Sequence, residues 1–316
     1  MVGIFRFDER VTQIALPAGD FSRPFGFPSN VYVLHGDVPA VIGTGLAGGR
    51  DTLVDALAEV GVSPRQVGRV LLTDHRPETV GNIGLFEHAS VVSLAHAGDS
   101  HERWLQRVCA VAHELVDGDA NPQWNHEQVE FFRERYAAED WSGAHELAVR
   151  DGHRIRAGAL TLEVVAAPGI DHASVCFYEP DFEWLFVGQT VSLALEPVPD
   201  DASAYIASLK HISQATPRAV FPAHGGIEQR YERVFRSAGL AINNLMTNLP
   251  FALPHPSSIP EVCRRDLGYF PGDVVRFAAG VIRLQGMVEE LCRSGVADRE
   301  GEGVWAVYRM DRPRRL

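Results

Sequence analysis

Along the first 45 residues the apolar positions come in short β-branched runs, "VTQIALP", "NVYVLHG" and "PAVIGTG", separated by Gly, Pro and Asp turns. This pattern predicts strands. The spacing then changes. In "GGRDTLVDALAEVGV" the apolar residues fall at Leu53, Leu57 and Val60 and the stretch closes on Gly61, which predicts a helix with a glycine stop. A strand over 69–73, a polar loop, a helix start at "GNIGLFEHA" and a strand at "SVVSLAH" follow. Strand–helix–strand alternation predicts layered α/β architecture.

Residues 97–145 are helical in pattern and rich in aromatics, among them Trp104, Trp124, Phe131, Phe132, Tyr136 and Trp141. An insertion of this kind either covers a pocket as a lid or packs its aromatics into the core as a helical pair. From 146 strands resume at "HRIRAG", "LTLEVVAAPG", "SVCFYEP" and "EWLFVGQ", with turns at Asp151-Gly152 and Ala157-Gly158. A helix, "DASAYIASLKHISQA", and a buried strand, "AVFPAHGG", come next. Beyond about residue 235 the pattern is helical with Pro-rich breaks, and it ends in a long helix, a Gly stop and a two-strand wing. The expected organisation is a main domain over 1–235, interrupted by the 97–145 insertion, and a helical, winged-helix-like domain over 236–316.

With 316 residues, 46% of them hydrophobic, the chain can build one large core and an appendage. Its net charge of −12 disfavours nucleic acid and anionic membranes as partners. Cys109, Cys176, Cys263 and Cys292 lie far apart without CxxC spacing, as free thiols in a reducing compartment do. The first 20 residues carry charges and no long apolar run, unlike a signal peptide, and no segment reaches the ~18 apolar residues of a membrane helix. The expectation is a soluble, cytoplasmic protein with a small-molecule substrate and neither nucleic acid nor membrane as partner. A homodimer is left open.

The candidate chemistry sits in "RVLLTDHRPETVGN", residues 69–82, where a buried strand breaks into a polar loop before a helix. With "NVYVLHGDVPAVIGTG", "VVAAPGIDHASV", "LFVGQT" and "VFPAHGG", in that order, this segment resembles the landmarks of the metallo-β-lactamase superfamily, and the C-terminal wing is similar to the appendage of its hydrolase and thioesterase branch. The resemblance implies an αββα sandwich with a helical lid insertion. It also implies two divalent metals held by histidines and carboxylates. Matched position by position, Asp74 and Arg76 stand for the first two histidines of the Thr-His-x-His-x-Asp-His motif, Glu78 for its aspartate and Thr79 for its third histidine. Ile170 replaces the Pro-Gly-His histidine, Gln189 the bridging aspartate and Gly43 the bracing aspartate; His224 alone survives. Isoleucine cannot coordinate, and a guanidinium never deprotonates to become a ligand. The expectation is therefore no bound metal and no other cofactor.

Asp74, Arg76 and Glu78, with His224 opposite them, form the expected acid–base and cation cluster. In one reading this network only fills the old metal hole, because buried ions need partners. In the other, Arg76 anchors a carbonyl-bearing or anionic substrate while Glu78, His224 or Asp74 moves protons. Thr79, Gln189, Asp171 and His172 complete the candidate substrate contacts; surface exposure is the plainer reading for Asp171 and His172. His75 falls on the alternate face, and His96 at the pocket rim. His101, His113, His126 and His145 lack HExxH spacing and read as helix-surface residues. Ser174 and Thr190 have no adjacent base, and "GTGLAGG" lacks the GxGxxG fingerprint. The leading functional expectation is a metal-independent enzyme performing hydrolysis, elimination, decarboxylation or cyclisation on a small acyl or carboxylate compound, in a biosynthetic setting. The alternatives are a non-catalytic ligand or protein binder and a hydrolase with a rebuilt single-metal site.

Overall fold

The structure is a computed structural model describing residues 2–17, 28–94, 100–119, 121–136, 145–192, 199–253, 255–266 and 272–310. Two sheets face each other. The first runs β1 (Gly3–Arg6), β2 (Val11–Leu16), β3 (Ser29–Leu34), β4 (Ala40–Ile42), β5 (Arg69–Leu71), β6 (Ser90–Leu94) and β7 (His145–Val149), with strand order equal to chain order. It is antiparallel from β1 to β4 and parallel from β4 to β7. The second contains β8 (Arg154–Ala157), β9 (Leu160–Ala166), β10 (Val175–Glu179), β11 (Trp184–Gly188) and β12 (Ala219–Pro222), antiparallel except for the β11–β12 pair.

Period-2 alternation assigns each strand residue to a layer. On β3, Tyr32 and Leu34 enter the core between the sheets, while Val31 and Val33 face Leu53 and Leu57 of α1 (Arg50–Glu59). Residues Cys176, Leu185, Val187 and Val220 on the outer face of the second sheet join a third core with the remaining helices. Helix, sheet, sheet, helix is thus the layer order, as the motifs led one to expect.

The insertion supplies α3 (Ser100–Gly118) and α4 (His126–Tyr136), and α5 (Ala202–Ser213) and α6 (Tyr231–Ala252) follow. Residue 235 falls inside α6. The C-terminal elements are β13 (Ser257–Ser258), α7 (Ile259–Asp266), α8 (Val274–Arg293) and the hairpin β14 (Ala297–Glu300) and β15 (Val307–Met310). They fold back on the insertion. Trp124 and Phe277 rings lie 4.9 Å apart, and Arg264 of α7 stacks on both while pairing with Asp119. Trp124, Phe132 and Tyr136 are buried in this core. Most of the insertion's described aromatics thus belong to the core, while Trp104 lies against Arg76 of the site described next. Trp141 and His96 lie outside the described residues.

Candidate functional site

The loop after β5 turns helical earlier than its polar sequence indicates. Helix α2 (Pro77–Val80) starts at Pro77, whose fixed φ and missing N–H suit the first helical position. Asp74 holds this turn. Its Oδ1 accepts from the Arg76 backbone N–H at 3.0 Å and from Thr79 Oγ1 at 2.7 Å, and its Oδ2 accepts from Thr73 Oγ1 at 3.1 Å. The turn after β4 is bound to the same loop. Thr44 N and Oγ1 both donate to Thr79 O at 2.9 Å, and Asn82 Nδ2 donates to the carbonyls of Thr44 and Leu46 at 2.7 Å. Strand β10 reaches across from the second sheet, Val175 N donating to Thr73 O at 2.8 Å. Gly188, at φ +55, ends β11 against Thr73, where a Cβ would collide with the threonine side chain.

The buried Arg76 does not pair with Asp74 or Glu78 through its guanidinium. It extends toward the second sheet, where Nη2 donates to Ile170 O at 2.8 Å and lies 3.5 Å from Asp200 Oδ1. Its Cζ stands 5.1 Å from the centre of the Trp104 ring, a cation–π contact from helix α3. Asp200 is the carboxylate that sequence inspection missed. It immediately precedes Asp201, the N-cap of α5, and no spacing rule links it to residue 76. Burial raises the Asp200 pKa, against the lowering effect of Arg76 and Arg107.

The remaining candidates form smaller groups. Gln189 Nε2 donates to Glu78 Oε2 at 3.3 Å, joining the α2 turn to the end of β11. Asp171 is buried, its Oδ1 accepting from Ala173 N at 2.7 Å, while the neighbouring His172 is exposed between Asp171 and Arg103 of α3. Surface exposure thus describes His172 and fails for Asp171, whose backbone carbonyl accepts from Ser174 N while its carboxylate holds Ala173 N inside the same turn. His224 is buried with Nδ1 3.1 Å from Pro28 O, so Nδ1 carries the proton and Nε2 keeps its lone pair. None of its contacts is to Asp74, Arg76 or Glu78, so the expected four-residue network is divided. His75 is buried beside the loop. Beneath Asp74, burial and the nearby carboxylate push the Cys176 thiol up to about 12.

A family model for the metallo-beta-lactamase superfamily matches residues 24–224. The chain belongs to this superfamily. Among solved structures, a metallo-beta-lactamase family protein from Thermus thermophilus superposes with TM-score 0.77 at 22% identity, covering 97% of this chain and 100% of that one. A beta-lactamase domain protein from Burkholderia ambifaria gives 0.73 at 15% identity over 98% and 95% of the two chains. A metallo-beta-lactamase from Pontibacter korlensis gives 0.54 at 13% over 77% and 100%. At these identities the likeness is one of fold. No curated protein matches the chain in sequence.

The superfamily's metal pair can be tested against the side chains present. Among the described residues no group of three or more His, Cys, Asp or Glu converges as ligands. Asp74 is engaged with its own loop, Ile170 offers only a carbonyl that already accepts from Arg76, and the guanidinium carries a fixed positive charge. This donor set does not fit two divalent cations.

Proposed function

We propose that this member of the superfamily is a metal-independent enzyme whose Arg76 binds the carboxylate or carbonyl oxygen of a small acyl compound. The observation that carries the reading is the Arg76 guanidinium, a buried permanent cation held by Ile170 O, Asp200 and Trp104 at a position where relatives place a metal ligand. A fixed cation in a water-poor site stabilises developing negative charge, the role a Lewis acid otherwise takes. Glu78, steadied by Gln189, and His224, with its Nε2 lone pair, are the candidates for moving the proton. Asp74 shapes the loop that presents Arg76 and Thr79. Hydrolysis, elimination, decarboxylation and cyclisation all fit such a set. The four free thiols, three of them buried, support a reducing, cytoplasmic setting. The C-terminal helices and hairpin act as a winged-helix-like support for the lid, and small molecules remain the expected partners.

The test is a thermal-shift screen of chelator-treated protein against short-chain carboxylates and acyl thioesters. Wild type should be stabilised by its ligand, and Arg76→Gln should lose that shift. Turnover of any hit should then fall at least a hundredfold in Glu78→Gln or His224→Gln. Equal ligand shifts in wild type and Arg76→Gln would refute the reading. One observation favours the alternative of a non-catalytic binder: Asp74 and Arg76 already have protein partners, as a filled hole requires. Ligand stabilisation without turnover would select it.

A further inference from the structure

Helices α3 and α4 bring together four side chains that share no contact with the site above. His113 and Asp117 stand four residues apart on α3, and His126 and Glu130 do the same on α4. The pairs cross between helices. His113 Nε2 lies 3.4 Å from Glu130 Oε1, and His126 Nε2 lies 3.1 Å from Asp117 Oδ1. The two Nδ1 atoms consequently face each other at 2.8 Å, with ring centroids 5.0 Å apart.

Proton placement constrains what the pair can hold. A neutral imidazole carries one N–H. If each ring directs it from Nε2 to the facing carboxylate, two Nδ1 lone pairs point at one another. If one ring protonates Nδ1 instead, its Nε2 turns a lone pair toward a carboxylate. Two neutral rings cannot satisfy all three contacts; a proton shared between the Nδ1 atoms can, and so can a metal cation placed there, with each Nε2 still donating to its carboxylate. Imidazoles bound to metal are held in the same manner, the outer nitrogen donating to a carboxylate that fixes the tautomer.

We propose that His113 and His126 form a surface site for a borderline divalent transition metal such as Zn2+, bound through both Nδ1 atoms and oriented by Glu130 and Asp117. Imidazole nitrogens bind Zn2+ at about 2.0–2.1 Å, so two tetrahedral ligands stand roughly 3.3 Å apart. The rings open by about half an ångström to admit the ion, and both are partly exposed and free to do so. Asp117 offsets its charge, and Glu130 does so while also paired with Arg133. No third protein ligand joins them among the described residues, so water completes the coordination and the site is weaker than a closed four-ligand one. The bridge fastens α4 to the helix that carries Arg103 and Trp104. This inference is independent of the chemistry proposed for the Arg76 site.

The experiment is calorimetric titration of Zn2+ into chelator-treated, desalted full-length protein, with circular dichroism to verify the helices. One equivalent should bind to wild type. His113→Ala and His126→Ala should each weaken binding at least tenfold, and Asp117→Asn about tenfold. His211→Ala, an exposed histidine on α5, should bind as wild type does. Electron paramagnetic resonance of Cu2+ on the unsubstituted protein provides a readout that no folding defect can blur, with two equatorial nitrogens expected. Failure of wild type to take up Zn2+, uptake that survives both histidine substitutions or follows His224 instead, or an oxygen-only Cu2+ spectrum would overturn the assignment.

Discussion

Asp74 offers the sharpest test of how this loop is built, because its two oxygens have different duties. Oδ1 receives the Arg76 N–H and the Thr79 hydroxyl, and Oδ2 receives only the Thr73 hydroxyl. Asp74→Ala removes all three bonds inside a fully buried turn. The threonine hydroxyls can rotate to other acceptors, but the backbone N–H cannot. An orphaned buried donor costs about 1–3 kcal/mol, and each lost bond to a charged acceptor a comparable amount before relaxation. A net loss of roughly 3–4 kcal/mol is expected. Asp74→Asn keeps a carbonyl oxygen for the Oδ1 pair and can place its amide nitrogen at Oδ2, where the Thr73 hydroxyl can turn to accept. Its cost should be ~1 kcal/mol or less. Urea unfolding of the two variants, compared through midpoints at constant m-value, measures the difference. If alanine costs under ~1 kcal/mol, Asp74 is no staple. If asparagine costs as much as alanine, the negative charge matters and the acceptor geometry does not.

Asp200, with its folded pKa raised above 3.8, binds more protons in the folded chain than in the unfolded one, so its contribution to stability is lost as pH rises through that raised value. Relative to wild type, Asp200→Asn should gain melting temperature as pH climbs from below 3.8 and then level off; a gain on acidification would contradict the shift. Gly188→Ala forces an L-residue to φ +55 and a Cβ into Thr73, and should cost about 2 kcal/mol or more in the same urea assay. In native protein at mild alkaline pH, Cys292 should be the first thiol to react with an alkylating reagent, since Cys109, Cys176 and Cys263 are buried and pushed up to about 11, 12 and 12. Mass-spectrometric mapping of the modified cysteine checks the order, and early labelling of Cys176 would contradict the burial beneath Asp74.

Much of the fold was legible because each strand carries its layer in alternate residues and each turn its Gly or Pro. Val31 and Val33 against Tyr32 and Leu34 is such a case. Pro77 was present to announce α2, yet the polar residues around it read as a loop, because local pattern does not reveal that Asp74 satisfies the turn's unmet donors. The kinds of atom on offer were legible too, since no folding gives the Ile170 side chain a donor for a metal.

Direction and partnership were not legible. Strand alternation carried past β5 would set Asp74 and Arg76 on one face, but the backbone turns between them, and the guanidinium meets Asp200, 124 positions away. His113 and His126 looked like unrelated surface residues until α3 and α4 packed and set their Nδ1 atoms in opposition. Sequence alone determined the layers and the kinds of atom each motif can offer, because period and side-chain chemistry are local properties. Only the tertiary structure decided which of those atoms meet, because a contact between distant residues is set by how whole elements cross and not by the residues at either end.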